Sequence, residues 1–185
     1  MLKHAFGRLV GWCNVLVSWR PATGSVARVR DYPRLGGADL LPGLVGRGRT
    51  GLATYFEVQR TVGALVEERA AVWATPQQVT ELRALLQAVA DAQGTDEAQL
   101  ADIEVHRGLV RTTGNRVYLL LTSTFLQAYL PMRSALSRPF NDGRAAHARL
   151  AGVINAISAG APVASKSAAE SYFTTTERII LECLR

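Results

Sequence analysis

Apolar positions change their spacing about a quarter of the way along the chain. Residues 1–50 keep no sustained period, because Arg20-Pro21, Tyr32-Pro33, Gly36-Gly37 and Leu41-Pro42-Gly43 interrupt it repeatedly. Short helices fit there only at about 4–18 and 38–46. From about residue 51 the helical period becomes regular. Phe56, Val62, Leu65 and Val66 mark one face of a first helix over about 52–73. Thr75-Pro76-Gln77-Gln78 supplies an N-cap, a proline in the first turn, where its missing N–H costs nothing, and a capping-box partner three residues after the cap. Val79, Leu82, Leu85, Leu86 and Val89 continue at helical spacing. Gly94 closes that helix. Thr95-Asp96-Glu97 opens the next with a cap and an acidic first turn, and Gly114 stops it at about Thr113. One long apolar helix is predicted over about 116–136, another from a cap at Asn141 or Asp142 to Gly160, and a last from about 163 to 184. No alternating strand pattern competes after residue 51. The expected fold is all-α, an antiparallel bundle of about six helices, with an irregular basic segment (1–50) before a helical domain (51–185).

Composition adjusts this picture little. Apolar residues at 48% and charged residues at 19% of 185 suit a packed domain rather than a disordered chain. Cys13 and Cys183 sit at opposite ends, form no close pair, and read as ordinary thiols of a cytoplasmic protein. No apolar run is long enough to span a membrane. The start, MLKHAFGRLVGWCNVLVSW, has the basic and apolar parts of an export signal, but Gly11 and Asn14 break the apolar run and no clean cleavage site follows. Charge is more informative. Residues 1–50 hold eight Lys and Arg against Asp31 and Asp39, which accounts for the whole net charge of +6 and leaves thirteen of each sign in the remainder. A basic segment attached to a neutral body suits contact with nucleic acid, and suits an unstructured basic tail equally.

The segment with chemistry is Asp102-Ile103-Glu104-Val105-His106. A spacing of four places Asp102 and His106 on one helical face, beside Ile103, Leu109 and Val110. Such a pair can supply two ligands to a divalent metal, hydrogen-bond internally, meet a bound carboxylate, or act as an acid–base couple. An enzyme would also need a nucleophile, a phosphate loop or a complete metal set. None is visible, so the expectation is of a protein that is not an enzyme.

The order of several short motifs is more specific than any one of them. Asp102-x-x-x-His106 is followed by Thr113-Gly114-Asn115. Upstream stand Phe56-Glu57-Val58, Arg69-Ala70-Ala71 and Ala74-Thr75-Pro76, and downstream Asn155-Ala156-Ile157-Ser158-Ala159-Gly160. Over about residues 50–185 this set resembles the C-terminal ligand-binding (FCD) domain of GntR-type transcription regulators of the FadR branch. The resemblance implies a cytoplasmic homodimer that senses a small organic-acid-like effector, a carboxylate, and adjusts its grip on DNA in response. It also implies a divalent metal, zinc or similar, held by one Asp and three His.

Carried over residue by residue, Asp102 and His106 match two metal ligands. The third falls on Leu150 and the fourth on Tyr172, while His147 lies three residues away from the third position. Two imidazoles missing of three should weaken a metal greatly. The family's Glu-x-Arg anchor also departs, since Glu57 is followed by Gln59 and Arg60 comes one place late. The expected effector site is Asp102, His106, Tyr172, Arg60 and Asn115, with Tyr118, Phe125 and Tyr129 as further pocket aromatics or plain core. The family's winged helix-turn-helix should occupy residues 1–50, where no recognition helix is visible. Only Leu44-Val45-Gly46-Arg47-Gly48-Arg49 is similar to the end of a wing. That stretch reads as a divergent or truncated DNA-binding region, and DNA contact is expected through it only if it is intact. The alternative is a degenerate helical dimerisation or interaction module without metal or effector.

Overall fold

The computed structural model describes residues 49–183, together with two short strands, β1 (Val17–Ser18) and β2 (Arg28–Val29), that pair antiparallel with Val17 opposite Val29. The helix expected over 4–18 is therefore corrected at its end, where Val17 and Ser18 are extended. Its remainder, and the helix expected over 38–46, lie outside the described residues.

Six helices follow: α1 (Arg49–Trp73), α2 (Pro76–Asp91), α3 (Thr95–Thr112), α4 (Arg116–Tyr129), α5 (Gly143–Ser158) and α6 (Pro162–Cys183). Most of their ends lie close to where the punctuation put them, but α2 ends at Asp91 with Ala92 as its C-cap, and Gly94 instead precedes α3 as its N-cap, so Thr95 is the first helical residue and makes no side-chain cap. Thr75 accepts from the Gln78 amide at 3.2 Å while the Gln78 side chain accepts from the Thr75 amide at 2.9 Å, completing the capping box. Asn115 caps α4 through the amides of Val117 and Tyr118, and Asp142 caps α5 through those of Arg144 and Ala145. Gly114 and Gly160 take φ of 62° and 61°, the left-handed conformation that ends a helix and disfavours a Cβ.

The long helix expected over 116–136 is shorter than expected. It stops at Tyr129 and continues as 3₁₀ turns over Leu130–Leu136 and Arg138–Phe140. Pro131 is the cause. It has no N–H to give to the carbonyl four residues back, and its ring crowds that carbonyl.

Helix α1 lies along α6, α2 packs on α3 and α5, and α5 packs on α6. Two apolar clusters result. One gathers Leu82, Val89, Leu109, Leu150, Val153, Ile154 and Phe173, and the other Leu52, Tyr55, Phe56, Phe125, Leu126, Tyr129 and Ile180. The expected face of α1 holds at Phe56, Val62 and Val66 and fails at one position. Leu65 is 40% exposed, whereas Gly63, Val66 and Glu67 turn inward. Among the described residues no helix is long and apolar enough to cross a membrane.

A buried acid–imidazole cluster as candidate functional site

Both clusters contribute walls to one partly open cavity of about 70 Å³, lined by α1, α3, α4, α6 and Phe140. Most of the lining is apolar: Phe56, Val62, Val66, Ile103, Phe125 and Phe173 are typical. Its polar groups converge from four helices. Helix α3 presents Asp102 and His106, α1 presents Gln59 and Glu67, α4 presents Thr122 and Tyr129, and α6 presents Tyr172 and Thr176.

The i, i+4 spacing on α3 holds His106 Nε2 3.7 Å from Asp102 Oδ2. Asp102 has a closer partner, because the Tyr172 hydroxyl donates to its carboxylate, 2.7 Å from Oδ2 and 2.9 Å from Oδ1. On the other side of the imidazole, Nδ1 lies 3.4 Å from Glu67 Oε1. That separation is long for a hydrogen bond. Neither Glu67 oxygen has a hydrogen-bond partner, and neither do His106 Nε2 and Thr176 Oγ1. The His106 ring is fixed by aromatic neighbours. Phe173 stacks on it with centroids 5.4 Å apart, and Tyr172 is tilted against it at 5.1 Å. Gly63 makes room for this arrangement, since a Cβ there would fall 2.3 Å from the Phe173 ring.

Electrostatics follow from burial. Glu67 and Asp102 are both under 4% exposed, and loss of hydration pushes both carboxyl groups above their usual range. The His106 charge and the Tyr172 hydrogen bond pull Asp102 back only in part. For His106, burial acts to lower the pKa, but the Glu67 interaction and the Asp102 charge outweigh it and the net shift is upward. The Tyr172 phenol is held far above its ordinary value by burial and by the adjacent carboxylate, so it stays a neutral donor. From α5, the Arg149 charge reaches Asp102, while its guanidinium donates to the Pro139 carbonyl.

The cluster brings together three of the expected site residues, Asp102, His106 and Tyr172, and two of the expected pocket aromatics, Phe125 and Tyr129. The other two expected effector residues are elsewhere. Arg60 pairs with Glu177 at 3.1 Å and is not in the cavity lining, and Asn115 is an exposed cap. Tyr118 is not in the lining either. Leu150 is fully buried in the apolar cluster, and neither it nor His147 lines the cavity.

Tyr172 sits where the fourth metal ligand was expected and uses its hydroxyl on Asp102 instead. Among the described residues no group of three or more His, Cys, Asp or Glu is placed to hold a metal ion. With Asp102 engaged by a phenol and the third position filled by Leu150, the donor set does not fit a divalent ion. Sequence reasoning missed Glu67, Thr176 and Phe173. Glu67 carried a signal: with Gly63, Val66 and Ala70 it falls on one helical stripe, so an acid stood at a core position.

Comparison with known proteins agrees with this architecture. The FCD domain matches residues 55–175. An uncharacterized HTH-type transcriptional regulator of Mycobacterium tuberculosis is 29% identical over 162 residues, which cover 87% of this chain and 66% of that protein. The chain thus spans about two thirds of the length of that relative. The solved structure of a GntR protein of Streptococcus agalactiae superposes with a TM-score of 0.64 at 20% identity, covering 92% of this chain and 78% of the other. The fold and the FCD match meet the resemblance first read from Asp102, His106 and Gly114-Asn115, and the chain belongs to the FCD-domain family of GntR-type proteins.

Proposed function

We propose that residues 51–185 form the effector-sensing domain of a cytoplasmic, DNA-binding transcription regulator, with the cavity around Asp102, His106 and Tyr172 as the effector site. The observation that carries this reading is the cavity itself. It is apolar in most of its lining, small, and provided with buried polar groups that have no partner within the protein. Unpaired buried polar atoms are costly, and a bound molecule that satisfies them recovers that cost. Helices α1, α3, α4 and α6 all border the cavity, so an occupant that prefers one arrangement of them shifts the population of the domain and of whatever it is joined to. The basic segment 1–50 would be, or adjoin, the DNA-contacting part, and its eight cationic side chains suit the phosphate backbone. The domain works by binding in this reading, and turnover has no part in it.

A homodimer belongs to the same reading. Helix α4 exposes Val117 (61%) and Leu120 (67%), with Leu121 and Leu119 beside them, an apolar strip that a second copy would cover. Light scattering after size exclusion should give twice the chain mass, reduced to one chain mass in Leu120→Glu. The carboxylate nature of the effector rests on the resemblance alone, and Arg60, its expected anchor, is engaged by Glu177.

The test is a thermal-shift screen with small organic acids, amines and alcohols, and with Zn²⁺, Ni²⁺ and Mn²⁺, repeated on Asp102→Ala and His106→Ala. A ligand at a hundred times its dissociation constant stabilises by about 2.7 kcal/mol. A shift that vanishes in both variants supports the sensing site. No shift with any compound favours a helical interaction module instead.

A further inference from the structure

We propose that the ligand of this cavity is a small amine, an apolar body of about five non-hydrogen atoms ending in an ammonium group that Glu67 holds. The inference rests on the sensing role above and names the chemistry of its ligand. Four observations lead to it.

The first is the open acceptor. Asp102 is already served by the Tyr172 hydroxyl, but Glu67, 1% exposed, has no hydrogen bond on either oxygen: His106 Nδ1 stands 3.4 Å from Oε1 as a long ion pair, and Oε2 has no partner. The second is independent of the acids. Thr176 Oγ1 borders the same cavity on a side chain 9% exposed, and it too lacks a partner. An ammonium carries three N–H donors and no acceptor, the complement of a carboxylate and a hydroxyl oxygen.

The third is what the lining lacks. It contains two carboxylates and one imidazole, and no Lys or Arg. A carboxylate ligand would face Glu67 and Asp102 with His106 as its one cationic partner, already lying between those two acids, and otherwise only the neutral donors of Gln59, Thr122 and Thr176. The fourth is size and wall chemistry. At roughly 10–15 Å³ of cavity for each water-sized group, about 70 Å³ holds about five to seven such groups. Phe56, Val62, Val66 and Phe125 offer that body an apolar wall, and Phe173 an aromatic face to its cationic end.

The experiment uses the full chain in calorimetry and thermal shift with four probes: n-butylamine, butanoate, 1-butanol and Zn²⁺ alone. Butylamine should bind saturably and raise the melting temperature, and butanol and butanoate should bind at least about tenfold more weakly. Glu67→Gln should lose the butylamine response while keeping its helical circular dichroism. Thr176→Val, which leaves the acid in place, should weaken butylamine several-fold. Butanoate binding without butylamine binding would sink the amine proposal and leave the sensing role standing. Butylamine binding unchanged in Glu67→Gln would also overturn it, and so would a response to Zn²⁺ alone that Asp102→Ala removes. Silence from every probe would overturn the amine proposal, and the sensing role would then stand or fall on the wider screen.

Discussion

Replacing Glu67 by Gln should make the unliganded protein more stable, and by an amount that grows with pH. The carboxyl is 1% exposed, unbonded at both oxygens, and shifted upward chiefly by burial. A folded-state pKa above the unfolded value of about 4.3 means that the native state binds more protons in the interval between the two. Stability then falls as pH rises from the unfolded value through the folded one, and is constant above it. Each unit of upward shift is worth about 1.4 kcal/mol. An unsatisfied buried charge costs more than the ~1–3 kcal/mol of a neutral group. Below the interval the protonated acid and the amide are near-isosteres and the two proteins should match. At pH 8 the amide still carries the cost of a neutral unpaired group, and the variant should lead by the excess cost of the charge over it, about 2 kcal/mol.

The neighbours do not reverse the sign. Asp102 on α3 is also shifted upward and steepens the fall in both proteins, whereas the upward shift of His106 depends on Glu67 and shrinks in the variant, which leaves the parent with the steeper fall; the Tyr172 and Tyr129 phenols on α6 and α4 remain neutral. The Arg149 charge from α5 acts on Asp102 and Tyr172 in both. Urea unfolding followed by circular dichroism from pH 4.5 to 8.5 gives the difference directly. A variant less stable than the parent at pH 8, or offset equally at every pH, would refute the argument and make Glu67 an ordinary structural partner of His106.

Three further outcomes are expected. Tyr172→Phe removes the donor to a buried carboxylate and should cost about 1.5–3 kcal/mol at pH 7 by chemical denaturation, less at pH 4 where Asp102 can hold a proton. Gly63→Ala forces the Phe173 ring off its place over His106 and should destabilise by about 1–3 kcal/mol, with loss of the ring-current shift on the His106 imidazole protons in NMR. Leu150→His with Tyr172→His restores the one Asp and three His that the resemblance implies. It should create a chelator-reversible rise in melting temperature with Ni²⁺ or Zn²⁺ that neither single change gives, and a flat response would mean that Leu150 does not correspond to a ligand position.

The helices were legible because their ends are written in local chemistry. The Thr75–Gln78 box, the Asn115 and Asp142 caps and the positive φ of Gly114 and Gly160 act within four residues, so sequence spacing captures them. The facing of α1 was less legible. A stripe drawn through Leu65 gives a plausible apolar face and leaves the neighbouring stripe of Gly63, Val66, Glu67 and Ala70 unread, and packing against α6 turns that second stripe inward. Burying an acid in preference to a leucine runs against the hydrophobic ranking, and a pattern argument rejects it for that reason. The end of α4 was written in Pro131 and passed over, because the apolar residues continue through it.

The site divides in the same way. Asp102 and His106 share a helix, so their spacing found them. Tyr172 is seventy residues from Asp102, and a sequence without geometry leaves it equally a core ring or a pocket wall. The structure joins it to Asp102, and that contact decides the character of the cavity. A histidine at that position would leave the acid free to bind a metal, whose positive charge could then attract an anion. A tyrosine occupies the acid with a neutral donor and adds no charge. The acceptor left without a hydrogen bond is Glu67, which no motif marks and which borders the space that a ligand would fill.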